Sequence, residues 1–323
     1  MSKIIISDHL FPSIDSQKQI ATSAGFELLE ANPPCGTEDD VIQRCAEADA
    51  LLVQWAPITR RVLGSLPRLK GVVRYGIGVN NIDLDAAKDL RIGVANVPTY
   101  CLDEVSTHAM AMVLSLTRRI PHDHHQIAHG GWGMAPLLPI PAISDLTLGL
   151  IGFGAIARRV AQKARAFGFH IVAADPYIAD SHFSENAVNR VDLDTLLVTA
   201  DVISIHCPLV KETTHLINKE SIDKMKHGVL IVNTSRGPIV KEADLIQALQ
   251  DGRICGAGMD VFEAEPLAKD SPLRTLSNVV LTSHSASVST RAVELLQIKA
   301  AEAACAFLEG KRPEGSLVWP SAS

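Results

Sequence analysis

Three apolar runs in the second half of this 323-residue chain end on polar residues with distinctive chemistry. The first, Val232-Asn233-Thr234-Ser235-Arg236-Gly237-Pro238, sets an arginine on a glycine-proline turn. A guanidinium is a planar fork of donors suited to a two-point grip on a carboxylate. The second is Asp260-Val261-Phe262-Glu263-Ala264-Glu265-Pro266, and the third is Leu281-Thr282-Ser283-His284-Ser285-Ala286. A histidine in a mostly apolar segment, beside a carboxylate, makes an acid/base pair able to work near neutral pH. Taken singly, each also admits a structural reading: a surface arginine, a loop acid, a core histidine with its hydrogen bond satisfied. Together, at strand ends, where open α/β sheets bind ligands, they are harder to dismiss.

The stretch Thr147–Asp175 supplies the frame for that chemistry. An apolar run, Thr147-Leu148-Gly149-Leu150-Ile151, meets the turn Gly152-Phe153-Gly154-Ala155-Ile156-Ala157. Helical periodicity follows to Phe167, and a second apolar run, His170 to Ala174, ends on Asp175. This is the strand–turn–helix–strand pattern of dinucleotide binding, in which each part has a physical job. Gly152 permits the tight turn and Gly154 admits the backbone to a pyrophosphate. The helix opening at Ala155 and Ile156 aims its N–H groups and positive dipole end at the phosphates. Ala157 stands in place of the third glycine, the smallest possible departure. Asp175 is placed to accept from ribose hydroxyls and to repel a 2′-phosphate, so the expected cofactor is NAD rather than NADP.

Short β-runs alternate with helical segments through the rest of the chain. Strands are predicted near 3–7, 50–54, 71–74 and 92–95, and again at 202–206, 228–233, 254–259 and 279–281. Helices are predicted near 13–24, 38–48, 83–89, 241–250 and 290–309, with one long helix from Asp103 to Ala128. Such alternation implies parallel sheets covered on both faces. The helix is apolar nearly all round from Val105 to Leu116, which predicts burial between domains or subunits. The proline- and glycine-rich loop His129–Ser144 is expected to cover substrate or contact a subunit.

Length suits about two domains. Hydrophobic residues make up 47% and charged residues 20%, a composition with ample core. A net charge of −6 offers no electrostatic footprint for nucleic acid or an acidic membrane. The cysteines at 35, 45, 101, 207, 255 and 305 form no CxxC pair, which fits a reducing cytoplasm better than a disulfide framework or a structural zinc site. No apolar run approaches a membrane span, and the N-terminus meets Asp8 too early for a signal peptide.

The chain resembles the D-isomer-specific 2-hydroxyacid dehydrogenase family over nearly its whole length. The matching segments are Arg74-Tyr75-Gly76-Ile77-Gly78-Val79-Asn80-Asn81-Ile82-Asp83, Asn96-Val97-Pro98, the glycine turn with Asp175, and His206-Cys207-Pro208-Leu209. They continue with Asn233-Thr234-Ser235-Arg236-Gly237, Asp260 to Pro266, and Thr282-Ser283-His284. The segment Tyr100–Val105 looks most like the branch of C-terminal-binding-protein-type and phosphoglycerate-dehydrogenase-like sequences. Asn80 departs from the usual aspartate at its position.

The resemblance implies an α/β fold of two doubly wound parallel-sheet domains, one Rossmann and one flavodoxin-like, with the active site in the cleft between them. The substrate domain would combine 1–98 with 291–323, and the NAD-binding domain would span 99–290. The expected activity is NAD-dependent interconversion of a small D-2-hydroxy acid and its 2-oxo acid. Arg236 would hold the substrate carboxylate and 2-oxo group, His284 would exchange the proton, and Glu265 would orient the imidazole and favour its protonated form. Glu265 is preferred to Glu263 because the acid before Pro266 matches the family motif. Ile77 and Gly78 N–H groups would complete the carboxylate cradle, Asp260 would meet the nicotinamide carboxamide, and Cys207 and Thr234 would line the cofactor cleft. A homodimer is implied, with no nucleic-acid or membrane partner. The alternative is an NAD(H)-sensing corepressor-like binding protein on the same fold.

Two further features invite functional readings. His122, Asp123, His124, His125 and His129 resemble metal-ligand spacing, but the polar helix end they occupy favours a solvated face, so no metal is expected. Arg60 and Arg61 follow a strand end and are candidates for a second anionic group on the substrate, although exposed helix-start arginines are common.

Overall fold

The apolar runs pair into two separate parallel sheets. The computed structural model describes residues 1–133 and 140–320. The first unit begins with β1 (Lys3–Ile6), α1 (Asp15–Ser23), β2 (Glu27–Glu30), α2 (Glu38–Arg44), β3 (Ala50–Val53), α3 (Arg60–Ser65), β4 (Gly71–Arg74), α4 (Leu84–Asp89) and β5 (Gly93–Ala95). The second unit contributes α5 (Leu102–Thr117), α6 (Ile120–Ala128), β6 (Thr147–Ile151), α7 (Ala155–Phe167), β7 (His170–Ala174), α8 (Asp180–Glu185), β8 (Asn189–Arg190) and α9 (Leu193–Thr199). It continues with β9 (Val202–Ile205), α10 (Lys219–Lys224), β10 (Val229–Asn233), α11 (Glu242–Gln250), β11 (Ile254–Met259) and β12 (Val279–Leu281). The chain then returns to the first unit with α12 (Thr290–Leu308) and β13 (Ser316–Val318). The units are Met1–Cys101 with Val288–Ser323, and Leu102–Ser287, so the crossings fall at 101/102 and 287/288 against 98/99 and 290/291 read from the sequence.

In the first unit the strand order is β13-β5-β4-β3-β1-β2. Its β1–β5 part is parallel and carries the flavodoxin-like order, while β13 joins β5 antiparallel. Successive residues of one strand enter opposite cores, as the two-residue period of a strand requires. Ile5, Leu51, Val53 and Val72 pack on one face, and Ile4, Ile6, Leu52 and Val73 on the other. Asp83 caps α4 by accepting the Ala86 N–H, and Ser289 caps α12 by accepting from Ala292.

In the second unit the order is β12-β11-β10-β9-β6-β7-β8, all parallel, which is the Rossmann order with one strand added. Leu148, Leu150 and Val202 face a core shared with α5 and α7, and Ile151, Ile203 and Ile231 face the opposite one. The sheet is therefore buried on both sides, which is why its strands read as continuous apolar runs.

The single helix expected from Asp103 to Ala128 is two helices. Arg119 adopts the left-handed conformation at φ 53°, and Pro121 lies in the first turn of α6. A proline ring clashes with the carbonyl four residues earlier and donates no N–H, so α5 ends before it. The expected covering loop His129–Ser144 lies partly outside the described residues.

Candidate active site

The strand order of the second unit reverses between β6 and β9, and the glycine turn stands at that point. Gly152 has φ +87°, and a Cβ there would lie 2.7 Å from the Cys207 backbone nitrogen. Only glycine permits both the left-handed turn and this approach. A Cβ on Gly154 would meet nothing within 4 Å, so the space above the turn is open. Gly154 is the N-cap of α7 and provides no side-chain cap, so the first N–H groups, at Ala155 and Ile156, are left to a ligand or solvent. Ala157 is fully buried in the α5–α7 core, where its methyl is accommodated.

Asp175 Oδ2 accepts the Phe153 N–H at 2.8 Å and Oδ1 accepts the Tyr177 N–H at 2.9 Å. Each carboxylate oxygen retains a further acceptor position, as ribose hydroxyls would need. Asp175 borders a cavity of about 630 Å³ together with Ile151, Gly152, Cys207, Val191 and Leu216. Arg190 borders it too, held by Asp180 and by the Asp175 carbonyl, and sequence reasoning missed this cation. Thr234, just past β10, has a buried hydroxyl oxygen with no hydrogen-bond partner among the described residues. The glycine cradle, uncapped helix end, ribose-ready acid and orphaned hydroxyl fit a bound dinucleotide.

Burial in the cavity wall pushes the Cys207 thiol up to about 11, so it lines the site as a neutral group. His206 precedes it, with Nε2 2.9 Å from the Ser204 hydroxyl, and burial pushes its imidazole down to about 4. His206 is thus neutral around pH 7.

The acid/base residues come from three loops of the same unit. Asn233 accepts the Ser235 N–H and donates to the Arg236 carbonyl, shaping the turn after β10. A Cβ on Gly237 would lie 1.8 Å from the Phe262 carbonyl oxygen, so glycine lets this turn pass the Asp260–Pro266 segment. Glu265 Oε1 accepts the Phe262 N–H at 3.1 Å, and its Oε2 lies 2.8 Å from His284 Nδ1. Burial raises the Glu265 carboxyl, but the His284 hydrogen bond, the Phe262 N–H and the nearby His284 and Arg236 charges outweigh it. The group lies below its ordinary value. A carboxylate only accepts, so Nδ1 carries a proton and Nε2 is left as the working nitrogen. Of the two acids in the motif, Glu265 meets His284, whereas Glu263 meets His215 at 2.6 Å.

His284 has φ 54°, a left-handed conformation costly for a side-chain-bearing residue. Its N–H donates to the Asp260 carbonyl at 2.7 Å. The Asp260 carboxylate, 1% exposed, accepts from the Thr282 hydroxyl, Ser285 N–H and Ala286 N–H. Asp260 therefore anchors the histidine loop, a job the sequence did not disclose, with acceptor capacity still open on Oδ2.

In the first unit, Ile77 and Gly78 follow β4 through Gly76, and Asn96 Nδ2 donates to the Ile77 carbonyl at 2.6 Å. Arg60 and Arg61 are both engaged in ion pairs. Arg60 pairs with Asp89, and Arg61 with Asp39 and the half-buried Glu38. Just past the end of α6, the His129 Nδ1 lies 2.8 Å from the His125 carbonyl. Among the described residues no group of three or more His, Cys, Asp or Glu is placed to hold a metal ion.

Residues 110–286 match the family model described as D-isomer specific 2-hydroxyacid dehydrogenase, NAD binding domain. A D-3-phosphoglycerate dehydrogenase of Mycobacterium bovis is 36% identical over 309 residues, 95% of this chain and 57% of that protein. The chain thus spans little more than half the length of that relative. A glyoxylate reductase of Korarchaeum cryptofilum is 36% identical over 277 residues, 84% of this chain and 83% of its own. Among solved structures, the D-lactate dehydrogenase of Aquifex aeolicus complexed with NAD and lactic acid matches with a TM-score of 0.82 at 29% identity, over 96% of each chain.

Proposed function

The chain belongs to the D-isomer specific 2-hydroxyacid dehydrogenase family, and on that premise we propose that it is an NAD-dependent oxidoreductase interconverting a small D-2-hydroxy acid and its 2-oxo acid. The observation that carries this reading is the Glu265–His284 pair at 2.8 Å, with the Arg236 charge acting on the same carboxylate. Gly152, Gly154, Ala155 and Ile156 would hold the pyrophosphate, Asp175 the ribose, and Cys207 and Thr234 the cofactor wall. Asp260 would use its open acceptor position on the carboxamide. When bound, NAD supplies the site with the ability to exchange a hydride with C2 of the acid.

Arg236 grips the substrate carboxylate and draws charge from the 2-oxo group. His284 gives a proton from Nε2 to the carbonyl oxygen and takes it back in the reverse direction. Glu265 keeps Nδ1 protonated, so that Nε2 always faces the reacting oxygen. Two cationic groups beside a developing alkoxide stabilise it most where water is excluded. Because Arg60 and Arg61 are engaged in surface ion pairs, we favour an acid with a single anionic group, of the glyoxylate or hydroxypyruvate type.

The reading includes a homodimer in a reducing cytoplasm. Its supports are the six free thiols and α6, which buries no residue and leaves Ile120, Ile127 and nearby Trp132 exposed. No helix among the described residues is long and apolar enough to cross a membrane. The corepressor-like alternative has no observation in its favour.

The test is NADH oxidation with glyoxylate, hydroxypyruvate, pyruvate, phenylpyruvate and a phosphorylated 2-oxo acid, with the mass of the protein measured in solution. Turnover is expected to be fastest on the small unphosphorylated acids, from a particle of twice the chain mass. Tight NADH binding without turnover on any acid overturns the enzymatic reading, and a monomer overturns the dimer.

A further inference from the structure

His108 is the single histidine of α5, preceded by Ser106 and Thr107 and followed by an apolar run to Leu114, and neither the glycine turn nor the acid/base pair uses it. Its Nε2 lies 3.0 Å from the Thr282 hydroxyl oxygen and 3.8 Å from Asp260 Oδ1. The Thr282 hydroxyl lies 2.5 Å from the same Asp260 oxygen. A hydroxyl has one proton, and a carboxylate receiving two backbone N–H groups can only accept. The Thr282 proton is therefore committed to Asp260, so Thr282 must accept from His108. His108 Nε2 is then the protonated nitrogen. Donation runs one way, from His108 to Thr282 to Asp260.

The end of that chain is the loop that holds His284. Asp260 fixes the N–H groups of Ser285 and Ala286 with its side chain and that of His284 with its carbonyl. These bonds surround the left-handed residue, a conformation that persists only where neighbours over-determine it. α5 packs against β10, β11 and β12, so His108 rests on a rigid platform across the strand from which Asp260 emerges.

We propose that His108 is a positioning residue for the acid/base histidine. By donating from Nε2 to Thr282, it fixes the hydroxyl's direction, locks Asp260 and so sets the backbone that aims His284. This rests on the proposed dehydrogenase reading for its kinetic consequence but not for its structural one.

The test compares His108→Leu, which removes the donor, with His108→Gln, whose amide restores an N–H near the same place. Thr282→Val and Thr282→Ser form a matching pair in the full-length protein. His108→Leu and Thr282→Val are expected to lower kcat about 10- to 100-fold, the cost of ångström-scale misplacement, with Tm near wild type. Hydrogen exchange at the Ser285 and Ala286 amides should quicken in both, and His108→Gln and Thr282→Ser should restore kcat and slow exchange. Unchanged kcat and exchange in His108→Leu overturns the proposal. So does a glutamine variant as impaired as the leucine, since the ring's shape would then matter rather than its donor. If the wild type turns over no 2-oxo acid, the function proposed above falls, while amide exchange still decides the role of His108.

Discussion

His284 combines a working imidazole with a backbone that few residues tolerate, and this determines how it should be probed. Alanine in a left-handed position adds strain, whereas asparagine enters that region more readily. His284→Asn is therefore expected to lower kcat at least about 100-fold, the scale of a lost general acid. Affinity for NADH, measured by fluorescence titration, should stay within about 3-fold, because no cofactor contact is assigned to His284. A parallel loss of NADH binding would show that the residue has been given the wrong role. At this scale the sequence disclosed chemical types well and partners poorly. Arg236, Glu265 and His284 stood out because polar residues ended apolar runs. The bond from His108 to Thr282 spans 174 positions and has no local signature, although a lone histidine in an apolar helix was a visible clue. For Asp260 the family resemblance implies a ligand contact; the three donors converging on it become visible only in the fold.

At the scale of elements, β9 carries a cost that depends on pH. His206 follows its last residue and is held neutral by burial, with its imidazole depressed from 6.5 to about 4. Below pH 6.5 the unfolded chain binds a proton that the folded chain refuses, so stability falls until the folded group also titrates near 4. The loss should be on the order of 2–3 kcal/mol over that window. Denaturant titrations between pH 7 and 4 should show a shallower decline for His206→Gln than for the wild type. Equal slopes would remove His206 as the cause. Central strands such as β9 were easy to predict because both faces are buried and the run is continuously apolar. By contrast β2, Glu27-Leu28-Leu29-Glu30, was missed: it is an edge strand with only Leu28 buried. The break at Arg119 was missed because apolar periodicity persists through it, whereas Pro121 supplied the contrary signal.

For the whole molecule, the order of elements was largely legible. Two α/β layers were expected, and two sheets in flavodoxin-like and Rossmann order are found. The return of the chain to its first sheet came from resemblance, since no local pattern tells a helix which sheet it will join. That return has a mechanical consequence. Residues near both ends of the described chain lie in one sheet, with β13 bonded to β5 and α12 packed on β3 and β4. A force applied between residues 3 and 318 runs through that unit alone, and the inserted Leu102–Ser287 unit carries no load while it holds. Optical-tweezer traces should therefore show the first unit rupture before the inserted one is stretched, in a fixed order on every pull. Rupture of the inserted unit first, or in random order, would contradict this load path.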